Sequence, residues 1–110
     1  MYEVIKTLEI SAAHKLKLDY ESKCSNLHGH NWKITVYLRS ETLNKNGMIM
    51  DFTEIKKKIS GLLDHKVIND VVPFNPTAEN LAKFVVDTLS PYCYRAEVIE
   101  SDDNKAVYYV

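Results

Sequence analysis

The chain has 110 residues, 45% of them hydrophobic and 26% charged, with a formal net charge of −1. That balance fits one globular domain over residues 1–110 and gives no electrostatic case for nucleic acid or an anionic membrane as the main partner. No apolar run approaches the ~20 residues of a membrane span. The N-terminus, Met1-Tyr-Glu-Val-Ile-Lys6, has neither the basic region nor the apolar stretch of a signal peptide. A cytoplasmic location is therefore expected, with Cys24 and Cys93 reduced.

Residues 2–13 alternate, with Val4, Leu8, Ile10 and Ala12 on one parity and Lys6 the exception, which predicts a strand. Residues 15–27 form a polar loop. Residues 31–39 alternate more cleanly: Trp32, Ile34, Val36 and Leu38 on one face, Lys33, Thr35, Tyr37 and Arg39 on the other. Asn44-Lys-Asn-Gly47 is a turn. Asp51 caps a helix, with Glu54 placed to close a capping box, and Phe52, Ile55, Ile59, Leu62 and Leu63 as its apolar stripe. Lys56-Lys57-Lys58 belongs to the solvated side. Thr77 caps a second helix with the stripe Leu81, Phe84, Val85 and Leu89, and Pro91 stops it. Residues 94–101 and 105–110 are two strands around the turn Asp102-Asp-Asn-Lys105. The order strand, strand, helix, helix, strand, strand is an α+β layout, an antiparallel sheet with two helices on one face. Its bare edges invite pairing between subunits, and an oligomer is expected.

The chemistry concentrates in Cys24-Ser-Asn-Leu-His28-Gly-His30, with His14 upstream and Asp64-His65 downstream. Strand side chains alternate, so His28 and His30 share the face of Trp32 and Ile34. His14 is in phase with Ile10 and Ala12. Two neighbouring strands can therefore present three imidazoles to one point, a nitrogen donor set suited to zinc. A bulge in either strand breaks that phase.

Cys24 has two readings. As a fourth ligand it closes a structural zinc site; near an open site it is a base or nucleophile, since nearby positive charge lowers a thiol from its usual pKa of ~8.5. Asp64-His65 likewise reads either as a carboxylate tuning an imidazole or as helix C-terminal residues that do not face each other. Glu100 is in phase with Ala96 and Val98. It is either a partly buried carboxylate, suited to a ligand edge with two parallel N–H groups, or an exposed strand end. Cys93, beside no other ligand type, reads as inert filling.

Together these motifs resemble the family of 6-pyruvoyl- and 6-carboxy-tetrahydropterin synthases. The matching pieces are Ala12-Ala13-His14, Cys24-x-x-x-His28-Gly29-His30-Asn31, Gly47-Met-Ile-Met-Asp51-Phe52, Leu63-Asp64-His65, Asn75-Pro-Thr-Ala-Glu79-Asn80 and Val98-Ile-Glu100. They fall in the family's order over nearly the whole chain. The resemblance implies the tunnelling fold, in which subunits assemble into barrels, commonly trimers stacked into hexamers, with active sites between subunits. It implies zinc on His14, His28 and His30, Cys24 as the proton-abstracting base, Asp64 and His65 as a pair assisting proton transfer, Glu100 as the anchor of the pterin edge and Thr77 as a further pterin contact. The implied substrate is 7,8-dihydroneopterin triphosphate. Loss of triphosphate alone yields the 6-pyruvoyl product. Side-chain cleavage with release of acetaldehyde yields 6-carboxy-5,6,7,8-tetrahydropterin, which feeds 7-deazaguanine and queuosine synthesis. The compact chain favours the carboxy-forming enzyme. A rival of another class is a non-catalytic, zinc-stabilised pterin-binding module with Cys24 as fourth ligand. Retention of Cys24 separates the chain from variants with glutamate at that place. Glu100-Ser101 departs from the family's frequent Glu-Thr but keeps the hydroxyl. Lys15, Lys23 and Lys33 are candidates for the triphosphate.

Overall fold

In the computed structural model, which describes residues 1–110, two long strands carry the architecture: β1 (Tyr2–His14) and β2 (His28–Ser40). They pair antiparallel in unbroken register from Tyr2 opposite Ser40 to His14 opposite His28. Alternation is the reason both form. Leu8, Ile10, Ala12, Trp32, Ile34, Val36 and Leu38 all point into the core, while the opposite parity stays exposed or half-buried. Pairing begins at His28, three residues before the run the sequence predicts, and this extension brings all three histidines into the ladder.

α1 (Phe52–Leu63) follows, capped by Asp51, whose carboxylate accepts from Thr53 N–H at 2.8 Å. The expected stripe narrows: Ile55, Ile59 and Leu63 are buried, whereas Phe52 and Leu62 remain 49% and 39% exposed. Glu54 makes no bond back to Asp51 and instead lies 3.9 Å from Lys58. α2 (Ala78–Thr88) is capped as expected by Thr77, which accepts from Asn80 N–H at 3.1 Å. Both helices bury their apolar sides against the same face of the sheet, forming one core with Trp32 and Val36 at its centre.

The sheet differs from four antiparallel strands. A two-residue strand, β3 (Lys66–Val67), pairs parallel with Ala12 and Ala13, so the sheet is mixed and five-stranded, in the order β3-β1-β2-β4-β5. Two residues are too few to show a period in sequence. β4 (Cys93–Ser101) and β5 (Asn104–Tyr109) complete it. β4 has two irregularities. At Tyr94 the register against β2 shifts, so that Cys93 and Ala96 both face inward. Between Ile99 and Ser101 the register against β5 shifts, leaving Glu100 as the extra residue. Bulges of this kind re-aim a side chain. The outer edges of β5 and of most of β1 have no partner strand within the chain. No helix is long and apolar enough to cross a membrane.

Candidate metal and substrate site

His14 and His28 end β1 and begin β2 as a directly opposed pair, and His30 lies opposite Ala12. The register at this end is regular, so the phase relation read from the sequence holds. The three rings meet edge to face, with centroids 4.6–5.2 Å apart. Trp32 forms the floor, its ring 4.8 Å from His14 and 5.2 Å from His30, and its indole N–H is spent on Ala12 O at 3.1 Å.

Each histidine offers one ligand atom, and these atoms lie within 4.8 Å of one another. His14 Nδ1 sits 2.8 Å from Pro76 O and His28 Nδ1 2.7 Å from Asn26 O. A carbonyl only accepts, so Nδ1 carries a proton in both rings, and in the neutral tautomer this leaves the lone pair on Nε2. The Nε2 atoms of His14 and His30 are buried and have no hydrogen-bond partner. Burial, with smaller help from the neighbouring histidines, pushes His14 below the usual histidine range. Neutral imidazoles with unspent, converging Nε2 atoms are what a divalent metal requires, and this donor set fits zinc. Orphaned buried polar atoms are rare in folded proteins, and here they converge.

Two further expected residues face the cluster. The Glu100 carboxylate lies 3.7 Å from His14 Nε2 and 3.6 Å from His30 Nε2, beyond hydrogen-bond length, and is 25% exposed. It is thus the partly buried carboxylate of the two readings. Cys24, half-buried in a 3-10 turn (Lys23–Ser25), lines a cavity of about 570 Å³ with His28, His30, Glu100 and Lys23. Its sulfur is outside the three-nitrogen ligand group. A neighbouring cavity of about 560 Å³ joins Glu100 to Thr77, Leu18 and Tyr20.

Asp64 and His65 lie outside the cavity that Cys24 lines. Asp64 bonds the Ser11 backbone, and His65, 82% exposed, lines with Ser11, Asn31 and His30 a separate cavity of about 510 Å³ at the outer edge of β1. Of the two readings of this pair, the geometry matches the carboxylate beside an imidazole: the side chains approach to 3.5 Å. The cause is the backbone: His65 takes a left-handed φ of 58°, which turns its ring back, while Asp64 Oδ1 accepts from Ser11 N–H at 2.9 Å and His65 N–H donates to Ser11 O at 2.7 Å. Of the remaining lysine candidates, Lys23 alone lines the histidine cavity. Cys93 is buried, its thiol pushed up by burial.

Sequence reasoning did not find Pro76 O and Asn26 O, since backbone carbonyls carry no residue signal, nor Asn69 and Asn75, whose partners are remote in sequence. The Asn75-Pro76-Thr77 run was the available pointer.

The family model for 6-pyruvoyl tetrahydropterin synthase matches residues 3–110. A 6-carboxy-5,6,7,8-tetrahydropterin synthase of Synechocystis is 33% identical, the match covering 99% of this chain and 94% of that protein. A 6-pyruvoyl tetrahydrobiopterin synthase of Dictyostelium discoideum is 34% identical over 89% of this chain and 88% of its own length. The solved structure of the Caenorhabditis elegans 6-pyruvoyl tetrahydropterin synthase superposes with a TM-score of 0.77 at 28% identity, covering 99% of this chain and 95% of that one. The chain therefore belongs to the 6-pyruvoyl tetrahydropterin synthase family.

Proposed function

We propose that the chain is a zinc-dependent carbon–carbon lyase that converts 7,8-dihydroneopterin triphosphate and one water to 6-carboxy-5,6,7,8-tetrahydropterin, releasing acetaldehyde and triphosphate, on the route to 7-deazaguanine and queuosine. The single observation that carries the reading is the convergence of three imidazoles, two with orphaned buried Nε2 atoms, on a cavity that also holds a thiol and a carboxylate. His14, His28 and His30 would hold a zinc ion, and what it would supply there is Lewis-acid polarisation of a substrate oxygen.

The chain's own residues divide the remaining work. Glu100 receives the pterin's amino and ring N–H groups, a bidentate acceptance suited to a carboxylate. Thr77 lines the neighbouring cavity that Glu100 also borders; its oxygen accepts from Asn80 N–H, and its hydroxyl proton is free to meet the pterin. Cys24, with its sulfur outside the three-nitrogen ligand group, serves as the base that takes a proton from a side-chain carbon. Asp64 and His65, 3.5 Å apart, act as a pair that assists a second proton transfer. This pair lies outside the Cys24 cavity of its own chain, so in the working enzyme it faces a site built with another subunit. Unpaired edges on β1 and β5 support a trimer-based homo-oligomer closed into a barrel, each chain contributing one synthase-like domain in the cytoplasm.

A second reading, triphosphate elimination to the 6-pyruvoyl product, is favoured by the Dictyostelium relative. Incubation with 7,8-dihydroneopterin triphosphate, followed by mass analysis of pterins and assay of acetaldehyde, tests both. Acetaldehyde with the 6-carboxy product is expected; pyruvoyl product without acetaldehyde selects the second reading. No turnover at full zinc occupancy points to the binding module.

A further inference from the structure

β1 ends at His14, yet the next three residues keep a strand's alternation of hydrogen bonds. Lys15 N–H donates to Asn69 Oδ1 at 2.9 Å, and Asn69 Nδ2 donates to Lys15 O at 2.9 Å. Lys17 N–H donates to Asn75 Oδ1 at 2.9 Å, and Asn75 Nδ2 donates to Lys17 O at 3.0 Å. Between them, Leu16 N–H points the other way and donates to Cys24 O at 2.9 Å. A primary amide presents a donor and an acceptor side by side, much as one residue of a strand does. Two asparagines, remote from this segment in sequence, thus stand in for a missing strand.

What the segment joins gives the arrangement its meaning. Its first neighbour is the metal-ligand candidate His14. Across it lies Cys24. On its far side Asn75 leads directly into Pro76, whose carbonyl accepts from His14 Nδ1 at 2.8 Å. Asn75 O itself accepts from Thr77 N–H at 2.8 Å and from Asn80 Nδ2 at 2.9 Å. The Asn75 side chain therefore closes a loop between the backbone that bears His14 and the turn that sets the direction of its ring.

We propose that Asn69 and Asn75 are positioning residues, which clamp residues 15–17 so that His14 and Cys24 are held in place toward His28 and His30. This inference rests on the zinc reading. Groups that orient a metal-bound imidazole influence affinity roughly 10–100-fold. Asn75, which acts on both the His14 backbone and the Pro76 turn, is the stronger of the two.

The test uses the full chain stripped of metal, with zinc affinity read by competition against a chromogenic chelator and ligand geometry read from the visible spectrum at saturating Co²⁺. Asn75→Ala is expected to weaken zinc about 10–100-fold and to change the saturated Co²⁺ spectrum. Asn69→Ala should act in the same direction and less. Asn75→Asp keeps the acceptor for Lys17 N–H but loses the donor to Lys17 O; it should give a smaller effect of the same sign and serves if the alanine variant does not fold. Ile59→Val, in the core under α1, lowers Tm without touching the clamp and should leave affinity and spectrum unchanged. Zinc affinity and spectrum in the asparagine variants equal to those of the unaltered protein, with Tm lowered as in Ile59→Val, overturn the positioning role alone. An unaltered protein that binds no zinc overturns the zinc reading and the clamp with it.

Discussion

Glu97 and Glu100 stand three residues apart on β4 and face opposite sides of the sheet. Glu97, on the side away from the helices, is fully engaged: its carboxylate accepts from Tyr37 Oη at 2.6 Å, Lys105 Nζ at 3.1 Å and Arg95 Nη2 at 3.2 Å. The Tyr37 hydrogen bond, followed by those of the two cations, holds it below the usual carboxylate range. Glu100 has no such company; its oxygens stop short of two imidazole nitrogens that are themselves unpaired. Nearby on the Glu97 face, Tyr94 donates to Glu3 and stacks under Arg39, again with each group partnered. Around Glu97 the polar valences are spent on the fold, and around Glu100 they are kept. Because an unpaired buried polar group costs about 1–3 kcal/mol, a cluster of them marks where a ligand is received.

The comparison breaks or sharpens under four substitutions. The largest effect is expected for His28→Ala: zinc content falls to background and turnover is lost, measured by metal analysis of the purified protein beside the product assay. A variant that retains full zinc removes the cluster's special status. Cys24→Ala comes next, with turnover lowered about 10²–10⁴-fold, the usual share of one acid–base group, and zinc content unchanged. Loss of zinc together with a loosened fold would instead make the thiol a ligand. Glu100→Gln should raise KM about 10–100-fold, as fits the loss of charge-assisted hydrogen bonds worth roughly 1.5–3 kcal/mol, with zinc intact. Unchanged pterin affinity in a binding titration refutes the anchor.

The smallest effect belongs to Glu97→Gln, expected to cost about 1 kcal/mol of stability near pH 7 and to leave zinc untouched. Its pH dependence has a definite sign. Glu97 has a lowered folded-state pKa, so its contribution is present above the unfolded value of ~4.3 and is lost as pH falls through the folded value. Urea unfolding of the two proteins should therefore converge in acid. A difference that persists or grows there contradicts the assignment of Glu97 as a structural carboxylate.

The histidine site was legible because its logic is local. His14, His28 and His30 share parity with Ile10, Ala12, Trp32 and Ile34, and parity survives wherever a ladder has no bulge. Asp51 and Thr77 were legible for the same reason, since a cap bonds within its own first turn. For Asp64 and His65 the sequence left two readings open, because the choice between them depends on a left-handed residue that is neither glycine nor asparagine. β3 was not legible, since it exists only because β1 offers Ala12 and Ala13 an open side.

Sequence by itself thus determined the order of the long strands and helices, the inward parity, the capping residues and the donor types, all of which follow from steric and hydrogen-bonding rules acting over a few residues. Tertiary structure alone decided which further groups join the three histidines. Asn69 and Asn75 meet Lys15 and Lys17 across 54 and 58 residues of chain, and Glu100 reaches His14 from a bulge at the far end of the sequence. Such pairings are set by the closing of the sheet over one core, where burial rather than local propensity chooses the neighbours.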